Sequence, residues 1–258
     1  MAAGIGKEHE ATVASLPLLK VVSAAHRAEL LESAVLHSVA AGTVLFEQGE
    51  LPTFQHVVVS GSAHLFGRSS EGDEVLIEVV ERSDLIIPAA VMTGAPYLMQ
   101  ARVPEASRFL MIHAATFRAA VQREPALAEA VIASLAGQFR RLVRQIKNLK
   151  LRSSTERVGC YILALSARQG TPDRAKLPYE KNLIASELGI TRESFSRALS
   201  MLQKQGISVR GEMILIRNAA QLAAACRPDP LIDGPEQAMA AGLSRAAPRT
   251  RRRGRANG

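Results

Sequence analysis

The chain has 258 residues, 47% of them hydrophobic and 4% aromatic with no Trp, which is enough for a real core and too few aromatic side chains for a stacking platform on single-stranded nucleic acid. Two cysteines, Cys160 and Cys226, exclude a disulfide framework and an iron-sulfur cluster built from cysteines. The net charge is +8, and the last 22 residues carry six of those charges on arginines 245, 249, 251, 252, 253 and 255, leaving +2 for the rest.

The opening MAAGIGKEHE lacks an apolar signal core, and the longest charge-free run, Leu85 to Ala101, is broken by Pro88, Gly94 and Pro96. A cytoplasmic protein with no membrane partner is expected. No motif for a phosphate loop, a nucleophile elbow or a zinc hydrolase occurs, so no enzyme is expected.

In chain order, helical patches are expected at about 16–37 and 114–123, on either side of a β region. There "GTVLFEQGE", "HVVVSGSAHLFGRS" and "EVLIEVVERSDLI" form short strands around glycine turns, which suggests an antiparallel barrel or jelly roll. From Pro125 the period changes. Pro125 suits the first turn of a helix, and Ile132, Leu135, Phe139, Leu142, Ile146 and Leu149 follow at spacings of three and four. That seam predicts a long dimerisation helix over 125–152, with Arg140, Arg141, Arg144 and Lys147 on the solvent side.

Past Ser153 a helix runs to about Arg168. Two short helices and a hairpin, "GISVRGEMILIRN", follow. Between Lys181 and Ser200 the spacing is that of a helix-turn-helix: Ala185 and Gly189 permit close crossing and a tight turn, and Ile184, Leu188, Ile190, Phe195 and Ala198 supply apolar contacts. On a helical wheel, Arg192, Glu193, Ser196 and Arg197 share one face, opposite Phe195, Ala198, Leu199 and Leu202. Arginine forks match guanine O6 and N7, and glutamate accepts from cytosine N4, so this face is expected to read bases in the major groove of double-stranded DNA. Lys181, Thr191 and Lys204 are expected to hold phosphates. The expected fold class is α+β in four parts: a β-barrel domain over 16–124, the helix, a winged helix-turn-helix over 153–228, and a disordered basic tail over 229–258.

Glu193, Ser196 and Arg197 match the Glu-x-x-Ser-Arg run at the start of the recognition helix in the CRP/FNR family of bacterial transcription regulators, which the chain resembles over roughly residues 20–228. In the barrel, "VVVSGSAHLF", "EGDEVLIEVV" and "SDLI" resemble the family's strand and glycine pattern, with Ser83 where a glycine is usual. The resemblance implies a cyclic-nucleotide-binding-like jelly roll, a homodimer, an inverted-repeat operator with TTG-like half-sites, and RNA polymerase as a further partner. Relatives that bind cyclic nucleotides carry Gly-Glu and then Arg-Ser or Arg-Thr in the barrel. Here those positions hold Ile87 and Pro88, then Tyr97, Leu98 and Met99, so cyclic AMP is not expected. Leu85, Ile86, Ile87, Val91, Met92, Tyr97, Leu98 and Met99 are expected to line an apolar effector pocket. The chain looks closest to the denitrification regulators that answer nitric oxide, which implies haem, with His26 or His37 as the iron ligand. The same residues are compatible with a regulator that has no effector, or with an apolar ligand of another kind.

Overall fold

Strand and helix faces follow from which alternate residues can be buried, and the order of elements is the frame for that choice. The structure, a computed structural model, describes residues 7–32 and 34–234. Helices α1 (Lys7–Ala14), α2 (Pro17–Lys20) and α3 (Ala24–Glu32) precede strands β1 (Val35–Val39), β2 (Val44–Phe46), β3 (Phe54–Ser60), β4 (Ala63–Arg68), β5 (Glu74–Val80) and β6 (Leu85–Ile86). Then come α4 (Pro88–Thr93), β7 (Gln100–Arg102), β8 (Ser107–His113), α5 (Ala114–Arg123) and α6 (Pro125–Leu151). The remainder is α7 (Ser154–Arg168), β9 (Arg174–Lys176), α8 (Lys181–Glu187), α9 (Arg192–Gln203), β10 (Ile207–Arg210), β11 (Met213–Ile216), α10 (Ala219–Cys226) and α11 (Pro230–Asp233).

Two four-stranded antiparallel sheets, β1-β8-β3-β6 and β2-β7-β4-β5, make the jelly roll. Its interior is a cluster of Val39, Val58, Ile86 and Phe109 from the first sheet with Phe46, Leu65, Val80 and Ala101 from the second. The outer face of the first sheet is also buried: Val57, Val59, Leu85, Leu110 and Ile112 pack with Leu16, Leu19 and Leu30 of the N-terminal segment, Phe117 of α5 and Leu127 of α6. Five consecutive residues of β3 are therefore buried, Gln55 to Val59, because both faces of that strand are covered. The expected helical patch to residue 37 stops earlier, since Val35 to Val39 pair with β8.

Gly61 makes the turn between β3 and β4 with φ of +78°, and a Cβ there would lie 2.1 Å from Oγ of Ser107. The Ser107 hydroxyl accepts from the Ser62 N–H at 3.2 Å, so the close approach is itself hydrogen-bonded.

Two compact units divide the described chain, the residues up to Ile146 with Tyr179–Ser194, and Lys147–Pro178 with the residues from Phe195 onward. In the first, α8 lies on β5, the edge strand of its sheet, where Oγ of Ser186 accepts from the Leu76 N–H at 2.7 Å. In the second, Ser153 caps α7 with a reciprocal bond to Glu156. Val158, Ile162 and Leu165 of α7 are buried, as are Phe195 and Leu202 of α9 and Leu222 of α10. Cys160 and Cys226 are also buried, and burial pushes their thiols up to about 12 and about 11. The expected hairpin is β10–β11, joined by β9 as a third strand. Of the residues placed in the tail by the sequence, Pro230–Asp233 form α11, capped by Asp229, and Asp233 accepts a two-pronged bond from Arg152. The arginines from 245 on lie outside the described residues.

Gly61→Ala should cost about 2–4 kcal/mol, from left-handed strain and displacement of Ser107. Urea denaturation followed by circular dichroism checks this.

Candidate functional site

Helix α8 ends at Leu188, and Gly189 takes φ of +62°, the left-handed conformation that an L side chain resists. The N–H of Ile190 turns back to the carbonyl of Ala185 at 2.9 Å. Thr191 then opens α9, its Oγ1 accepting from the Ser194 N–H at 3.2 Å. The hydroxyl expected to hold a phosphate is thus the helix cap. Arg192 and Glu193 occupy the first turn of α9 and Ser196 and Arg197 the second, and all four are exposed. Phe195, Ala198, Leu199 and Leu202 are buried, so the helix has the expected apolar and polar faces. Ser200 donates its hydroxyl to the Ser196 carbonyl at 3.1 Å. Lys181 is the first residue of α8 and Lys204 follows α9, with Lys181 half-buried and Lys204 exposed.

The long helix carries two stripes. Ile132, Phe139, Leu142, Ile146 and Leu149 are each at least 41% exposed, and Val143 is at 38%. Leu135, placed in the same seam by spacing, instead packs against the core of its own barrel. A second stripe is polar and was not visible in the sequence. Gln138 Nε2 donates to the Leu85 carbonyl at 3.0 Å, Arg141 Nε to Glu78 at 3.0 Å, and Gln145 Nε2 to the Ile77 carbonyl at 3.2 Å. Arg141, expected in solvent, therefore ties α6 to β5.

The expected effector pocket does not come together as one surface. Ile86, Ile87, Tyr97 and Met99 belong to the barrel interior, where Tyr97 stacks on Phe46 at 3.7 Å between ring centres. Leu85, Val91 and Met92 face the opposite way, toward the helices. Leu98 is 82% exposed. Ile87 holds φ of 41° and ψ of 57°, an unusual conformation for a β-branched residue, at the position where the cyclic-nucleotide pattern has glycine. The side chains of the interior cluster carry no charge.

Of the two histidines favoured as iron ligands, His26 lies outside the barrel in a groove with Val22, Leu30, Ala120 and Leu127, its Nδ1 bonded to Glu124. His37 stands exposed on β1, on the face that carries Val39 into the interior. The histidine the sequence did not single out is His56. It is 5% exposed, beside Phe46 and Phe54, and its Nδ1 has no hydrogen-bond partner. Burial, and then the charge of His37, lower its pKa to about 4. The alternation of β3 could have found it, since Phe54, His56 and Val58 share one face. Among the described residues no group of three or more His, Cys, Asp or Glu is placed to hold a metal ion, and no helix is long and apolar enough to cross a membrane.

Two family models match this chain: a cyclic nucleotide-binding domain over residues 36–124 and a Crp-like helix-turn-helix domain over 156–225. Among curated proteins, it is 25% identical over 191 residues to the CRP-like cAMP-activated global transcriptional regulator of Mycobacterium tuberculosis, covering 72% of this chain and 85% of that one. It is 29% identical over 195 residues to the fumarate nitrate reduction regulatory protein of Klebsiella oxytoca, covering 72% and 77%. A crystal structure of a candidate cyclic nucleotide binding protein from Ruegeria pomeroyi is 30% identical, with 86% of this chain and 99% of that one covered and a TM-score of 0.53.

His56 makes stability depend on pH with a defined sign. An unfolded histidine takes up a proton near pH 6.5, whereas His56 in the folded chain resists protonation until about 4. Its contribution is therefore complete above about 6.5 and is lost as pH falls toward about 4, by up to about 3 kcal/mol. In urea titrations across that window His56→Gln should flatten the slope relative to the unsubstituted protein, and equal slopes would contradict the assignment.

Proposed function

Because the chain belongs to the CRP/FNR family of DNA-binding transcription regulators, we propose that it acts as a homodimer on an inverted-repeat operator without cyclic AMP. The observation that carries the dimer is the exposed stripe from Ile132 to Leu149. Five large apolar side chains along one helix cost solvation in a monomer, and their heptad spacing is what a second copy of the same helix covers. A two-fold axis along that seam presents two α9 helices to successive major grooves about 34 Å apart, which calls for half-sites in inverted orientation.

Within each half-site Arg192, Glu193, Ser196 and Arg197 read base edges, in a TTG-like core. Lys181 and Lys204 contact phosphates and set register. Thr191 contributes by capping α9. RNA polymerase is the expected further partner, and the chain does its work by binding rather than by catalysis.

Independence from cyclic AMP rests on the barrel. A cyclic phosphate needs a cation and backbone donors at close range, whereas Tyr97, Leu98 and Met99 stand where the arginine would be. Ile87 and Pro88 replace the Gly-Glu pair. Two observations speak against haem: Phe46, stacked on Tyr97, lies beside His56, and His26 lies outside the barrel. We therefore read the barrel as responding to a group smaller than a nucleotide or a porphyrin. Control by abundance alone is the second reading, supported by the buried apolar side chains that line the interior.

Leu142→Glu should yield monomers by analytical ultracentrifugation and abolish operator binding, and a dimer that survives it would contradict the seam. Arg197→Ala should lose about 1–3 kcal/mol of discrimination per half-site. Gel shifts on the palindrome and on random DNA check this, and an equal loss on both would assign Arg197 to phosphate.

A further inference from the structure

The inner face of the first sheet carries donors that the DNA-binding reading does not use. Strand register fixes their places. His56 of β3 and Met111 of β8 are Cα partners. Met111 is also the partner of Val35 on β1, two residues from His37, whose own partner is Phe109. All these residues share the face that bears Val39, Val58 and Phe109 into the interior. Met111 is thus directly opposite His56, at about 5 Å between Cβ atoms, and diagonal to His37, at about 7–8 Å.

Solvent access falls along this line. His37 is exposed, Met111 half-buried and His56 buried. At the inner end, the Nδ1 of His56 has no hydrogen-bond partner, and an unmet buried nitrogen is a standing cost. Phe46 and Phe54 flank it, with ring centres 5.7 Å and 6.3 Å from the imidazole. The neighbouring register positions are Val35, Val39, Phe54, Val58, Ile86, Phe109 and His113. None of these is a carboxylate.

We propose that His56, Met111 and His37 bind one copper(I) ion at the mouth of the barrel, and that this ion is the regulator's effector. The effector part rests on the reading of the chain as a DNA-binding regulator whose barrel takes a small group.

The donor set selects the metal. A thioether with imidazoles suits a soft closed-shell cation of low coordination number. Calcium and magnesium require oxygen ligands, which these positions lack. Structural zinc sites favour thiolates and four ligands, and Cys160 and Cys226 lie in the other compact unit. The apolar wall beside His56 keeps water from the ion. The ion binds as copper(I) and leaves as copper(I), so no electron transfer is involved.

The test uses the full-length dimer under anaerobic conditions, with copper(I) titrated against bicinchoninate as a competing chelator. One equivalent per chain is expected. Met111→Leu, which keeps volume and apolarity, and His37→Gln, on an exposed strand position, should each weaken binding roughly 100-fold. Circular dichroism should show both variants folded. Silver(I), a redox-inert surrogate, should shift the methyl resonance of Met111 in the unsubstituted protein. Failure to outcompete the chelator, undiminished binding in both variants, or tighter retention of zinc than of copper(I) would overturn the site. A gel shift on the operator, with and without the ion, decides the effector role: a change of affinity supports it, and an unchanged affinity of the loaded protein overturns it. An operator bound by neither form would overturn the DNA-binding reading, and the titration would still decide the metal site.

Discussion

The middle strands of the first sheet, β3 and β8, are covered on both faces, and the rest of the barrel unit depends on that constraint. Alternate residues of β3 are committed to two different cores. Val57 and Val59 hold the helices, while His56 and Val58 fill the space between the sheets. A one-residue slip would exchange the two sets, bringing His56 out among the helices and two valines into the interior. Gly61 and Ser107 fix the end of β3 against such a slip, because the turn admits no Cβ there.

The long helix leaves this sandwich with an exposed apolar stripe. Its polar stripe, Gln138, Arg141 and Gln145, spends hydrogen bonds on β5 and β6, so the rotation of the helix about its axis is set by the barrel. The apolar stripe is thereby turned outward. Leu135 is the exception that shows the geometry: it sits where the helix still lies over its own core, whereas Phe139 and Leu142 lie beyond it. One rotation of one helix satisfies the barrel and leaves an uncovered seam.

The barrel matches a cyclic nucleotide-binding domain over residues 36–124, and buried apolar side chains line its interior. Ile87 is held there in a left-handed conformation that glycine adopts without cost. Such a residue persists only where surrounding structure holds it in place. In the same interior one imidazole is buried without a partner on its Nδ1, next to a methionine on the adjoining strand.

Much of this protein could be read in its sequence wherever the signal is local. Pro125 and the three-four spacing after it set the start and length of α6. Gly189, with Arg192, Glu193, Ser196 and Arg197 behind it, marked the turn and the exposed face of α9, because a helix wheel needs only consecutive residues. The jelly roll followed from short strands between glycine turns. Tertiary structure alone decided which strand faces meet. It separated Leu85 from Ile86, put Leu98 in solvent, drew Arg141 onto Glu78, ended the first helical patch before His37, and set His56 opposite Met111. The physical reason is that periodicity is a property of neighbours in the chain, whereas burial is decided by pairing between residues remote in sequence, and no window along the chain contains both partners.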